Sequence, residues 1–432
     1  MHRPKQLVID TSYSLETIRD CGLEQTVFCR DLDGYFDHVW TLHPFATLVT
    51  SDAWGSRFGG PQCHDMSARH TFIDGRIGMT SFLRWIPPLN FLVGQLWQAL
   101  WLIQLVRRQS ISVIRANGPL YSGLLGWFVA RVCRIPLVIR VGENSDELFK
   151  ATGQPINRRL FRTRRVEKIV ERFVLSRADL VAAANLNYLE FAVDNGTPRE
   201  RTTVFPYGNR VNPDHFVEPS LRPDGRPYLA DIGVGDTPFL LYIGRLVKLK
   251  HPEDVIQVLK ILRDRGHNIK AVLAGGGSQQ QELTQLVREL DLSEHTVFCG
   301  NCAQEWLVSV APLASVVVSP ITGAALVEAA LAAAPIAAYD VDWQGELIQT
   351  GTTGELVKFR DHEQLANATE RLLKNRDYAR SMGRAVREEA LSQLNPKSLN
   401  EHERSQYELL FRQSETPRRS ETIPSSDGTN EV

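Results

Sequence analysis

The stretch SVVVSPITGAALVEAALAAAPIAAYD, residues 315–340, sets a β-branched run, an alanine-rich helical run and a second short apolar run end to end. Strand, helix and strand in that order are the unit of a parallel sheet, and runs this apolar belong to strands covered on both faces. One carboxylate, Glu328, stands inside the helical run. A buried unpaired charge is strongly unfavourable, so Glu328 faces either water or a ligand.

Working outward, the same alternation begins at Phe239: strand FLLYIG, helix PEDVIQVLKILRDRG, strand IKAVLAG, helix SQQQELTQLVREL, strand TVFCG and a helix near Trp306. Further helices follow Asp340, which makes a doubly wound α/β domain of about six strands. Pro252 at a first helical position, Glu253 and Asp254 in the first turn and Gly266 past the end delimit one helix. Ser278 and Asp361 read as the N-termini of two others. Upstream, ISVIRA, LLGWFVARVC, PLVIRV and DLVAAA alternate likewise. Residues 218–238, rich in Pro, Gly and Asp without an apolar period, read as the linker between residues 1–217 and 239–395. Two domains are expected because 432 residues exceed the roughly 250–300 at which a single core stops growing. Residues 414–432 are polar and expected to be disordered.

Lys and Arg total 49 against 50 Asp and Glu, a formal net charge of -1, so nothing draws the whole chain to nucleic acid or to an anionic membrane. The six cysteines are scattered and MHRPKQLVIDTSYS lacks an apolar signal core, so a reducing cytoplasm is the expected setting. Cys299 and Cys302 have half a zinc site's spacing with nothing to complete it. The apolar stretch 87–108 is broken by Asn90, Gln95, Gln98 and Gln104 and reads as a largely buried helix rather than a span. A helix lying on a membrane surface, anchored by Trp97 and Trp101 with Arg107 and Arg108 behind, is its other reading.

Ligands of such domains sit beyond the carboxyl ends of the strands. In the second half those edges carry Gly244-Arg245, Gly275-Gly276-Gly277, Gly300-Asn301 and Thr322-Gly323. Glycine admits close approach of a ligand, and Arg245 and Lys250 place two cations at the first edge, within reach of a phosphate. No G-x-G-x-x-G opens the first unit and no P-loop is present. With a helix starting at Gly323 and Thr322 as its N-cap, Glu328 shares a stripe with Ala324 and Ala332. A solvated face carries several polar residues and this one carries a single carboxylate, suited to accept the vicinal hydroxyls of a ribose.

The ordered series YIGRLVKLK, LAGGGSQQQEL, VFCGNCAQEWL, SPITGAALVEAALAAAPIAAYDVDWQGELI and GTTGELV, from about Tyr242 to Val357, resembles the nucleotide-sugar half of the retaining GT-B glycosyltransferases marked by an E-x7-E pattern. Upstream, DLVAAANLNYLEF and VFPYGNRVNPDHF are similar to the closing segments of that family's acceptor domain. The resemblance implies two facing Rossmann-like domains around a cleft, with a C-terminal helix, residues 396–413, crossing back to the first. It implies that Arg245 and Lys250 hold the donor diphosphate and stabilise the leaving group, that Glu328 binds the ribose, and that Thr322, Gly323 and Ala324 offer N–H groups to the phosphates. Gly244 and Gly276 would flank the donor, with Gly300 and Asn301 near the base. Two positions depart from the family: Pro320 stands where the first Glu of the pattern belongs, and Gly142, Glu143 and Asn144 stand on the acceptor side where a histidine is common.

The resulting expectation is a retaining transferase taking a sugar from a UDP- or GDP-linked donor to a glycan or lipid-linked acceptor in polysaccharide or glycolipid synthesis at the cytoplasmic face of a membrane. No cofactor beyond the nucleotide-sugar co-substrate is expected, and metal independence follows from Arg245 and Lys250 supplying the charge a metal otherwise supplies. The basic run 158–172, with Arg158, Arg159, Arg162, Arg164, Arg165, Lys168 and Arg172, is a second surface for anionic lipid, while its lack of interleaved aromatics speaks against nucleic acid. The alternatives are a silent nucleotide-sugar-binding subunit and a relative that epimerises or hydrolyses the nucleotide sugar.

Overall fold

The computed structural model describes residues 3–45, 59–76 and 82–415. The expected disordered tail lies outside them from residue 416 on, and residues 414 and 415 end a helix instead.

The first sheet contains β1 (Lys5–Ile9), β2 (His38–His43), β3 (Gln62–Ser67), β4 (His70–Asp74), β5 (Val113–Asn117), β6 (Leu137–Val141), β7 (Leu180–Ala183) and β8 (Thr202–Val204). Its order is β3-β4-β2-β1-β5-β6-β7-β8, parallel throughout except where β3 meets β4. The second contains β9 (Phe239–Ile243), β10 (Lys270–Ala274), β11 (Thr296–Gly300), β12 (Val316–Ser319), β13 (Ile336–Asp340) and β14 (Glu355–Lys358). Its order β11-β10-β9-β12-β13-β14 is wholly parallel. This is the GT-B architecture, two doubly wound α/β units. Strand order reverses between β1 and β5 in one sheet and between β9 and β12 in the other, and such switch points open the crevices where ligands bind.

Burial explains the strands: β6 and β9 are buried along their whole lengths, as helix-covered parallel strands must be. One apolar cluster runs from Leu7, Ile114 and Ile139 of the first sheet to Leu241, Val317 and Ala338 of the second, so the two halves share a core. Residues 218–238 connect the sheets but are structured: they form a helix, Arg226–Asp231, with Leu229 and Val234 buried. Composition hides this because two apolar anchors suffice to dock so short a segment.

Helix ends follow capping chemistry in part. Pro252 opens the helix Pro252–Asp264, and Asp361 caps the helix His362–Lys374 by accepting from Gln364 N (2.9 Å). Ser278 caps nothing: the helix Gln280–Glu289 starts after Gln279, whose own N–H is held by the Leu246 carbonyl (3.0 Å). The last helix, Pro396–Glu415, returns to the first sheet, where Tyr407 is fully buried and accepts from Gln6 Nε2 (2.7 Å), and Glu403 pairs with Arg115 (2.6 Å).

Candidate functional site

The carboxyl edges of the two sheets face each other across a cleft of about 760 Å³, a size suited to a nucleotide sugar. After β9 the chain turns through Gly244 and Arg245, held by Tyr242 Oη donating to the Arg245 carbonyl (3.0 Å). The neighbouring edge packs so closely that a Cβ on Gly275, at φ +148°, would lie 1.9 Å from the Gly244 carbonyl oxygen, so only glycine fits there. Arg245 and Lys250 line the cleft, and neither side chain has a hydrogen bond or ion pair among the described residues. Burial lowers the Lys250 pKa, against the pull of Asp342 and Glu143. Two cations unpaired among the described residues on one wall can hold an anionic group.

The loop after β12 is built by Gln344. Its Nε2 donates to the carbonyls of Ser319 (3.2 Å), Pro320 (3.1 Å) and Tyr339 (2.9 Å), and its Oε1 accepts from Ser319 Oγ (2.7 Å). Thr322 is consequently not the helix cap expected of it: its hydroxyl bonds Ser319 Oγ (2.6 Å), and the helix Ala324–Leu331 starts after Gly323 without a side-chain cap. Its first N–H groups are left free at the cleft wall, where Thr322, Gly323 and Ala324 lie, a ready anion site.

Glu328 lines the same cleft one turn further on, its side chain 12% exposed. Gln304 Nε2 donates to its Oε1 (3.3 Å), and Gln304 Oε1 accepts from Nε2 of the fully buried His215 (2.8 Å). Burial pushes Glu328 up to about 7, with the Gln304 bond opposing it, and pushes His215 down to about 4. His215 is therefore the neutral tautomer that donates to Gln304, which turns the Gln304 amide toward Glu328.

On the opposite wall, Asn144 caps the helix Ser145–Thr152, accepting from Asp146 N (3.1 Å) and Glu147 N (3.2 Å), and the Gly142 carbonyl accepts from Tyr207 Oη (3.1 Å). Between them Glu143 makes no hydrogen bond among the described residues and faces Arg245 and Lys250. Its pKa is raised by burial and lowered by those cations. The walls are tied by Tyr188 Oη donating to Asp342 Oδ2 (2.7 Å) and by Glu346 accepting the N–H groups of Leu186 (3.1 Å) and Asn187 (3.2 Å) at the start of the helix Leu186–Asp194.

The residues read from the sequence divide here. Gly244, Arg245, Lys250, Thr322, Gly323, Ala324 and Glu328 converge on one wall, with Gly142, Glu143 and Asn144 opposite. Gly276, Gly300 and Asn301 sit apart, at the adjoining β10–β11 edge, where Asn301 Oδ1 accepts from Gly276 N (2.9 Å) and Gly275 N donates to Gly300 (2.7 Å). Tyr13, Tyr188, Arg210 and Asp342 also line the cleft and went unread. Their signal was positional: Asp342 lies two residues past the end of β13, and Arg210 lies in VFPYGNRVNPDHF.

Comparison with known proteins agrees with this geometry. Residues 14–208 match the family described as glycosyl transferase 4-like domain, and residues 230–389 that of glycosyl transferases group 1. Among curated relatives, the alpha-D-kanosaminyltransferase of Streptomyces kanamyceticus is 27% identical over 57% of this chain and 64% of its own length. The D-inositol 3-phosphate glycosyltransferase of Nocardia farcinica is 28% identical over 61% and 60%. A GDP-mannose-dependent phosphatidylinositol monomannoside mannosyltransferase of Mycobacterium tuberculosis is 28% identical over 48% and 51%. The chain thus spans less than two thirds of the length of these relatives. Among solved structures, Anabaena HepE with UDP-glucose superposes with a TM-score of 0.70 at 18% identity, covering 94% of this chain and 99% of that one. Sucrose-phosphate synthase of Thermosynechococcus elongatus gives 0.73 at 18%, covering 95% and 100%.

Proposed function

We propose that this chain, which belongs to the GT-B glycosyltransferases of the 4-like group, takes a sugar from a UDP- or GDP-linked donor and transfers it, with retention, to a glycan or lipid-linked acceptor. The observation that carries the reading is the donor wall: two cations without partners, a helix N-terminus with free N–H groups and a ligand-facing carboxylate in one cleft. Glu328 receives the ribose hydroxyls, the N–H groups of Gly323 and Ala324 and Arg245 with Lys250 take the diphosphate, and the same cations stabilise the charge that develops on it as the sugar departs. They also make the reaction independent of a divalent metal, so turnover is expected to survive chelation. HepE, solved with UDP-glucose, and the GDP-mannose-dependent relative supply the two donor classes to test. Retention is read from the resemblance; incubation with an α-linked donor and NMR of the product's anomeric proton tests it, an α product supporting the reading and a β product contradicting it. Binding of nucleotide sugar with no turnover on any acceptor would favour the silent-subunit alternative.

The acceptor's location follows from a surface. The helix Pro87–Gln109 exposes Leu89, Leu92, Leu96 and Leu100 in a row, continuing Trp85 and Ile86. Beside it lie the helices Tyr121–Cys133, which exposes Phe128 and Val132, and Arg164–Leu175, which exposes Val166 and Ile169. All three cover one face of the first sheet. Among their described residues the exposed charges are all basic, including Arg107, Arg108, Arg131, Arg165 and Arg172, because the only acids, Glu167 and Glu171, are fully buried. The basic run is thereby narrower than the sequence implies: Arg164 turns inward to Glu171 (2.6 Å) and Asp146 (2.8 Å), and Lys168 pairs with Asp146, since buried carboxylates demand partners. Apolar rows flanked only by cations fit an anionic bilayer and repel a second copy of themselves, so this face docks the enzyme on the cytoplasmic leaflet.

A further inference from the structure

Asp342 carries an unanswered hydrogen-bonding group inside the cleft. Its Oδ2 accepts from Tyr188 Oη (2.7 Å), while its Oδ1 is buried with no partner. Asp342 joins no ion pair among the described residues. Its backbone is held at φ +60°, a conformation that aspartate tolerates but seldom adopts without cause. Burial raises its carboxyl to about 6, with the Tyr188 bond and Lys250 opposing the shift. An orphaned buried acceptor in a cleft calls for a donor from a ligand.

The cleft's charges have an order. Tyr13 lies within electrostatic reach of both Glu328 and Arg245, and Lys250 within reach of Arg245, Asp342 and Glu143. Glu328, Arg245, Lys250 and Asp342 all line this one cleft, with Asp342 on the Lys250 side. A ligand with its ribose at Glu328 and its diphosphate on the two cations has its remaining end at Asp342. That end is not phosphate, which a carboxylate repels; it is a group rich in O–H donors, because an ionised carboxylate only accepts. We propose that Asp342 receives ring hydroxyls of the transferred sugar and so sets which sugar, as distinct from which nucleoside, the enzyme accepts. The assignment rests on the donor reading above. Acceptor hydroxyls share this chemistry, but Asp342 belongs to the donor domain beside Lys250, where the sugar must lie.

The test compares binding of a nucleoside diphosphate with that of its sugar conjugate (UDP with UDP-glucose, GDP with GDP-mannose) by calorimetry, on the full chain, on Asp342→Asn and on Tyr188→Phe. Asparagine tolerates the same backbone, and the phenylalanine variant removes the Tyr188 bond to Asp342 while keeping the carboxylate. A hydrogen bond to a charged group is worth about 1.5–3 kcal/mol, or roughly 10–150-fold. Asp342→Asn is expected to weaken the sugar conjugate by at least about 10-fold relative to its diphosphate, whose own affinity moves less than about 2-fold, and Tyr188→Phe is expected to leave that ratio within about 3-fold. An unchanged ratio in Asp342→Asn, which includes the case of an acceptor-binding role, overturns the assignment. Equal loss in both variants overturns it in favour of a structural tie. Failure of every diphosphate to bind the unaltered protein defeats the donor reading itself, and this assignment with it.

Discussion

Glu328 is where stability and function pull apart. Its carboxyl is raised from 4.5 to about 7 in the folded protein, chiefly by burial, so between those values the folded state holds a proton that the unfolded chain has released. Stability therefore falls as pH rises through that window, and the full penalty, on the order of 3 kcal/mol, is present above it. Glu328→Gln keeps the shape and removes the charge. It is expected to raise the melting temperature at pH 8 by a few degrees while leaving it nearly unchanged at pH 4.5, and to weaken nucleotide binding at pH 8 by 10-fold or more. Thermal denaturation and calorimetry at the two pH values check both halves. Glu328 was legible in the sequence because a lone acid in an apolar helix contradicts its surroundings. His215 and Gln304, which orient it, were not, because they meet it only through tertiary contact. Tyr188 and Asp342 stay hidden for the same reason: they are 154 positions apart.

At the scale of elements, the helix Pro87–Gln109 reverses a familiar rule. Asn90, Gln95 and Gln98 are buried while Leu89, Leu92, Leu96 and Leu100 face out. Gln95 Nε2 donates to the Arg76 carbonyl (3.0 Å), Tyr121 Oη donates to Gln95 Oε1 (2.5 Å), and Gln98 Nε2 joins the same oxygen (3.1 Å). The amides set the helix's phase, which leaves Trp97 and Trp101 half-buried. A pattern of polar interruptions shows periodicity but not which face is inward, and here Gln95 is fixed by Arg76 and Tyr121, which lie outside the helix. The double variant Leu92→Glu, Leu96→Glu is expected to abolish sedimentation with phosphatidylglycerol-containing vesicles without lowering the melting temperature by more than a degree or two. Retained sedimentation would place the lipid contact elsewhere. The strand edges were easier to read, since glycine there answers to sterics alone: Gly275→Ala is expected to destabilise by about 2 kcal/mol or more in urea unfolding and to disturb the Arg245 turn beside it.

The whole molecule is one cleft held between two sheets and closed from behind by the last helix. The second sheet could be written almost strand by strand from its sequence, because β9 to β13 are near-continuous apolar runs; β14, ELVK, is not. The first sheet could not: β1 to β4 are mixed in polarity, and β3 runs antiparallel with an exposed face. The returning helix depends on Arg115 and Glu403, a buried pair 288 positions apart. Glu403→Ala strands the arginine in the core and is expected to cost about 3–5 kcal/mol in denaturant unfolding.

The measurement that bears most directly on the account is a thermal-shift panel of UDP, GDP, ADP and their common sugar conjugates on the unaltered protein, Arg245→Ala and Glu328→Ala. A ligand bound only by the folded state raises the melting temperature by mass action. One nucleotide series is expected to stabilise the unaltered protein by several degrees, with the response lost in both variants. No shift with any nucleotide, or a shift that survives both substitutions, would contradict the assignment of this cleft as the donor site.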